Sequence, residues 1–240
     1  MIEDVLTVMW KERRTMLRGK ASRSKFLQMM LFPIILNTVF PITWGPDWVT
    51  DFPPLLSAMI IPALLLAVTV PDSFAGERER HTLGTLLASR LPDRAIFFGK
   101  LVTPIVMGWG TALLLSLVSL VVVNVAHGEG ELLLFTLPIA MGILTLSFLL
   151  STTMAGAGVL TSLRSETVQE AMQKLLNFIT IPAVLVQVLP LLFREKFITF
   201  MNTVNGLQLL IIVVVILVVV DIGVFTVAFN RFRRSQMYLD

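Results

Sequence analysis

The chain contains no cysteine, one tyrosine and only two histidines among 240 residues. The first absence removes disulfides, thiolate metal sites and a cysteine nucleophile at once. His81 and His127 fall in loops expected on opposite sides of a bilayer, so a histidine metal cluster within one chain is not expected. Charge is scarce as well. Charged residues make up 15% of the chain against 55% hydrophobic ones, and the mean hydropathy is +0.84. That balance is far from a soluble domain and indicates an integral membrane protein. Also missing are G-x-S-x-G, H-E-x-x-H and any histidine within an apolar run, which argues against a membrane-embedded hydrolase. No internal repeat or low-complexity tract is present, and no soluble segment exceeds roughly 30 residues, too few for an independent domain. Residues 1–240 therefore read as a single membrane domain.

What the chain does have is long apolar runs, at Phe26–Thr43, Leu55–Ser73, Leu101–Ala126, Leu132–Leu163, Leu175–Phe193 and Leu207–Phe229. Each suits a helix of ~20 residues. The fourth is long enough to tilt or to continue into the cytoplasm. A barrel would instead show alternating segments of ~10 residues. The expected fold is all-α with six transmembrane helices.

Lys and Arg are distributed by loop. Seven precede the first run, five lie in Ala75–Lys100, two in Arg164–Lys174 and three follow the last run, leaving only Arg194 and Lys196 for the other side. This asymmetry places both termini in the cytoplasm and requires an even number of spans. Trp44 and Trp48 are expected at the outer lipid interface. The formal charge of +3 and the pI near 9.6 are better explained by orientation and anionic lipid than by nucleic acid.

Residues 1–25 hold no apolar signal core. Within them Ile2, Val5, Leu6, Met9, Trp10, Met16 and Leu17 recur broadly on one helical face. Acidic Glu3 and Asp4 precede basic Lys11, Arg13, Arg14 and Arg18, an order that matches the helix dipole. An interfacial amphipathic helix is expected, acting as an anchor or as part of a docking surface.

The charged island at 75–100 reads AGERERHTLGTLLASRLPDRAIFFGK. Glu77 and Glu79 open it and Arg78 and Arg80 interleave with them, while Leu83, Leu86, Leu87 and Leu91 recur at helical spacing. The pattern predicts one amphipathic cytoplasmic helix over 76–91, stopped at Leu91-Pro92-Asp93 by the proline. Physics alone leaves two occupants open for its apolar face, lipid or a partner protein.

AGERERHTLGTLLA, beginning at Ala75, followed by DRAIFFGK at Asp93–Lys100, resembles the segment between the second and third membrane helices of permease subunits of ATP-binding-cassette exporters of the type-two family. The six-helix layout, the N-terminal helix and the cytoplasmic termini resemble that family over essentially the whole length. The resemblance implies that the segment is a coupling helix seated in a cleft of a separate ATPase subunit. Glu77, Arg78, Glu79, Arg80, Thr82, Leu83, Leu86 and Leu87 are then the contact residues. It also implies a pathway built by two permease copies, a homodimer or related heterodimer, in a prokaryotic inner membrane. ATP and Mg belong to the partner and no cofactor to this chain, because G-x-x-x-x-G-K-[ST] is absent. Gly19-Lys20 and Gly99-Lys100 are followed by Ala and Leu. The chain is accordingly not expected to be an enzyme by itself. Many family members carry a sizeable outer or re-entrant segment between the last two helices; here only about Arg194–Gly206 is available.

Polar residues inside the runs are few. Asp221 lies about ten residues, or roughly 15 Å, before the basic tail and is expected to find a partner across helices. Asn37, Asn124 and Gln187 could face a pathway or bond between helices. Asp72 reads as a cap or loop contact. Ser151, Ala155, Gly156, Ala157 and Gly158 should allow close helix approach. Pro33, Pro62, Pro104, Pro138 and Pro182 are expected mid-span. The rival reading is an ion-coupled secondary transporter or channel using Asp221, which offers no reason for the charged island.

Overall fold

A computed structural model describes residues 2–18, 20–82, 84, 88, 90–193, 199 and 203–231, without the side chains of 2, 13–18, 20–27, 93, 183, 186, 187, 189–191 and 231. Among the described residues every regular element is a helix. In chain order they are α1 (Ile2–Arg18), α2 (Lys20–Trp44), α3 (Asp47–Thr50), α4 (Pro53–Thr69), α5 (Ala75–Glu79), α6 (Asp93–His127), α7 (Leu137–Leu163), α8 (Val168–Leu192) and α9 (Gly206–Arg231). The expected all-helical class holds. Most of Arg194–Gly206 lies outside the described residues.

Helices α6, α7 and α9 are long and apolar enough to cross a membrane; Gln28–Trp44 and Pro53–Thr69 are shorter apolar helices. α6 has 35 residues, about 52 Å at 1.5 Å each, against a hydrocarbon core of about 30 Å. The helix is longer than that thickness, and Asp93–Lys100 is its base rather than a loop leading into it. The start is set by Pro92, which sits in extended geometry before the first turn and cannot continue a helix arriving from upstream.

α7 is the hub, packing against α4, α6, α8 and α9, while α6 also packs on α1 and α2. The small residues of α7 make this possible. Ser151, Ala155, Gly156, Ala157 and Gly158 are all buried. A Cβ on Gly156 would come within 2.7 Å of Val224 on α9, and one on Gly158 within 2.5 Å of Val70. Around them Leu65, Leu66, Val70, Phe74, Ile96, Phe97, Met154 and Leu175 form the largest core cluster.

Three expectations are corrected. Residues 132–136 are not helical and α7 begins at Leu137, so Pro138 occupies the first turn, where its missing donor costs nothing, and is not mid-span. Pro33, Pro62 and Pro104 do lie inside helices. Trp48 is 1% exposed, packed with Val49 and Val123, and its indole N–H donates to Ser119 Oγ at 3.2 Å. It is therefore an interior residue, drawn in by α3, while Trp44 stays exposed. Finally, the helix expected over 76–91 is interrupted: it is helical to Glu79, turns at Arg80–His81 and is helical again at Gly84, while residues 83, 85–87 and 89 lie outside the described residues.

Candidate functional site

That turn is a helix stop written into the backbone. His81 N–H donates to Arg78 O and Thr82 N–H to Glu77 O, with His81 left-handed at φ 54°. This is the Schellman arrangement, in which one left-handed residue lets the last carbonyls find donors. Glycine usually occupies that position, and histidine there gave the sequence pattern no sign of a break. Leu83, Leu86 and Leu87 lie outside the described residues.

The other end of α5 is held by its neighbour. Ser162 Oγ, on α7, accepts the Phe74 and Ala75 N–H groups at 2.9 and 2.8 Å and donates to Pro71 O at 2.9 Å. A short helix has four orphan N–H groups at its start, and this hydroxyl satisfies donors that no local side chain reaches. The service is returned. Glu79 Oε1 accepts the Val168 N–H at 2.8 Å, capping the start of α8, and Arg78 donates to Ser165 O at 2.6 Å and Leu163 O at 3.5 Å. The α4–α6 and α7–α8 connections are thereby joined into one platform. Arg80 reaches back to Asp72 at 3.1 Å, the loop contact expected for that aspartate. The exposed partners make this a weak pair.

Glu77 points the other way, into an ionic cluster that also takes in α1 and the base of α6. Its carboxylate meets Lys11 Nζ at 2.6 Å, Thr82 Oγ1 at 2.5 Å and Lys100 Nζ at 3.5 Å. Lys100 has a side chain 0% exposed, pairs with Glu12 at 2.7 Å, donates to Ser73 O at 2.6 Å and lies 5.0 Å from the Phe74 ring centre. Two carboxylates and two ammonium groups balance, the condition under which buried charge is tolerated. Burial alone would raise the Glu77 carboxyl, but the Lys100 charge and the Lys11 and Thr82 hydrogen bonds outweigh it and hold it at about 2. The close fit of α1 is set at Gly99, where a Cβ would lie 2.5 Å from Val8 Cβ. Val8 and Glu12, one helical turn apart, are the packed side of α1; Leu6 and Trp10 remain more than half exposed.

Of the expected contact residues, then, Glu77 is turned inward, Arg78 and Glu79 are engaged with the α7–α8 junction, and Arg80 and Thr82 stay at the surface with His81. Glu12, Lys100 and Ser162 were not singled out by the sequence. Lys100 carried one signal, a lysine that falls two turns inside a helix once the helix is seen to start at Asp93.

The intramembrane polar residues are held between or along helices. Asp221 accepts the Thr152 and Thr153 hydroxyls of α7 at 2.5 and 2.6 Å. Asn37 donates to Pro33 O at 2.9 Å and accepts from Ser57 on α4 at 3.3 Å. Asn124 exchanges a pair of 2.8 Å bonds with the backbone of Leu133, fastening the extended 132–136 segment to the end of α6. It also lines a shallow groove of about 300 Å³ with Leu120, Val121, Val125, Leu132 and Leu134. The Gln187 side chain lies outside the described residues. No group of three or more metal-ligating side chains occurs among the described residues.

A family model described as ABC-2 type transporter matches residues 3–187. No curated protein matches the chain.

Proposed function

This chain belongs to the ABC-2 type transporter family, a membrane permease, and from that premise we propose that it is the membrane subunit of an exporter driven by a separate ATPase. In this reading α2, α4, α6, α7, α8 and α9 are six spans, both termini are cytoplasmic, and the chain lies in a prokaryotic plasma membrane. The one-sided distribution of Lys and Arg supports that orientation. Two copies associate, and the substrate route runs where they meet. The ATPase binds ATP and Mg; this chain, which has no phosphate-cradling loop, contributes no hydrolysis.

The observation that carries the reading is the family match, which runs unbroken from α1 through the cytoplasmic platform into α8. The docking surface is the outer side of that platform. Arg80, His81, Thr82, Gly84, Ala88 and Arg90 are exposed in the first connection, and Arg164, Glu166 and Thr167 are exposed in the junction that Arg78 and Glu79 bind. ATP closes the two ATPase subunits, the platforms are drawn together, and the spans pass between inward and outward access.

The test is affinity purification of the tagged chain from its native membrane in mild detergent, with mass spectrometry of what accompanies it. A stoichiometric ATPase is the expected result. A folded, dimeric chain that retains no ATPase would overturn the exporter reading.

A further inference from the structure

The turn at Arg80–Thr82 poses a mechanical question. A helix running unbroken from docking surface to membrane could push α6 directly, but α5 ends at Glu79 and its axis does not continue into α6. The backbone turns at a left-handed His81 after α5 and enters α6 through an extended Pro92, so neither end of the connection continues the helix it joins. The side chains offer a stiffer route. Glu77 on α5 and Glu12 on α1 both hold the Lys100 ammonium, at 3.5 and 2.7 Å, two turns inside α6, and Ser73 O, just ahead of α5, takes a further hydrogen bond from it at 2.6 Å.

We propose that Lys100 is a positioning residue, the joint through which the docking platform and the N-terminal helix move α6 as one body. This rests on the permease reading above. The cluster draws one charged group or more from each of three elements: Lys11 and Glu12 from α1, Glu77 from α5 and Lys100 from α6. Its charges cancel, so separating α5 or α6 leaves an unpaired charge, and separating α1 takes from the buried Lys100 its nearest carboxylate, Glu12 at 2.7 Å. The elements therefore travel together, with Val8 against Gly99 preventing α1 from sliding over α6. A lysine suits the joint because its compact ammonium has three donors, and three oxygens of Glu12, Glu77 and Ser73 surround it.

The absence of cysteine allows a direct test by paired spin labels. Leu6 on α1 is 56% exposed and a Cβ at Gly110 or Gly206 meets no other atom within 4 Å, so L6C/G110C reports α1 against α6 and G110C/G206C reports α6 against α9. Distances are measured in the purified permease–ATPase complex, labelled chain diluted with unlabelled, without nucleotide and with ATP under non-hydrolysing conditions. The native cluster should keep the 6–110 distance constant while the 110–206 distance shifts with ATP. Lys100→Met with Glu12→Met removes a cation and an anion together, leaves the Lys11–Glu77 pair intact, and so avoids an orphaned buried charge. In that double variant the 6–110 distance should change with ATP and the 110–206 shift should be lost. Retention of the native pattern in a folded, ATPase-bound double variant reduces Lys100 to a structural ion pair and overturns the proposal. A double variant that does not fold is replaced by Lys100→Arg, whose planar fork cannot reproduce the three-way contact and which should reduce the 110–206 shift; an unchanged shift again overturns it. A native chain with no ATP response in either pair instead refutes the permease reading itself.

Discussion

At Glu77 the pH dependence can be written down. Its carboxyl is held at about 2, below its usual 4.5, and a carboxyl lowered in the folded state stabilises the fold above its unfolded value and loses that contribution as pH falls through the folded one. The contribution is complete at neutral pH, declines below 4.5 and is gone near 2. Glu77→Gln should therefore lower the thermal midpoint of the detergent-solubilised chain at neutral pH, with the gap to the unaltered chain closing as pH falls toward about 3. A gap that stays constant with pH would show that the lost contact is not ionic. Asp221 calls for a different comparison, because its two acceptors are served by two hydroxyls. Asp221→Asn keeps one acceptor and should cost about 1 kcal/mol of stability. Thr152→Val with Thr153→Val strips the donors from a buried acid and should cost more, about 2–3 kcal/mol. Unfolding by denaturing detergent orders the two, and the reverse order would mean that the threonines serve only their own helix.

Among the elements, the contact of α1 with α6 depends on a missing side chain. Gly99→Val would place new carbon atoms on Val8 and should push α1 away at a cost of about 1–3 kcal/mol, read as faster proteolysis of the N-terminal segment, with Val8→Ala recovering part of the loss. Little of this contact was legible in advance. The apolar periodicity of α1 includes Leu6 and Trp10 and leaves out Val8, yet Leu6 and Trp10 stay exposed, because the side that packs does so with a valine and a glutamate. Long apolar runs located α7 and α9 within several residues, and α6 without its first eight residues, since a bilayer demands about 20 apolar residues in a row. The small-residue stretch at Ser151–Gly158 likewise read correctly as a packing face. Where the reading failed, tertiary partners decide. The 76–91 helix has the right periodicity, but Ser162 and Val168 fix α5 from outside, and hydropathy has no term for a histidine in left-handed geometry. Trp48 followed the same rule, for its place in the interior depends on Ser119, 71 residues away.

Taken whole, the molecule has two unlike ends: its cross-linked platform lies at one, and at the other lies the 128–136 connection, tied down by Asn124. Glu129 and Glu166 are exposed on these opposite ends. In the cysteine-free background, Glu129→Cys should react with an impermeant maleimide added outside intact cells, and Glu166→Cys only after the membrane is opened. Exchange of the two would invert the assigned orientation. α9 stands apart from the rest. The family match ends at 187, before it begins, and in its most apolar stretch only 6% of residues are buried; it meets α7 along a stripe that includes Asp221, Val224, Phe225 and Ala228. This has a consequence for biogenesis. A helix that apolar can leave the translocon without help from its neighbours, so its insertion and its docking are separable events, the second completed when Asp221 finds Thr152 and Thr153. Two gene fragments divided between α8 and α9 should then assemble in the membrane into a working permease, and Asp221→Leu should abolish that reassembly while leaving the last helix inserted.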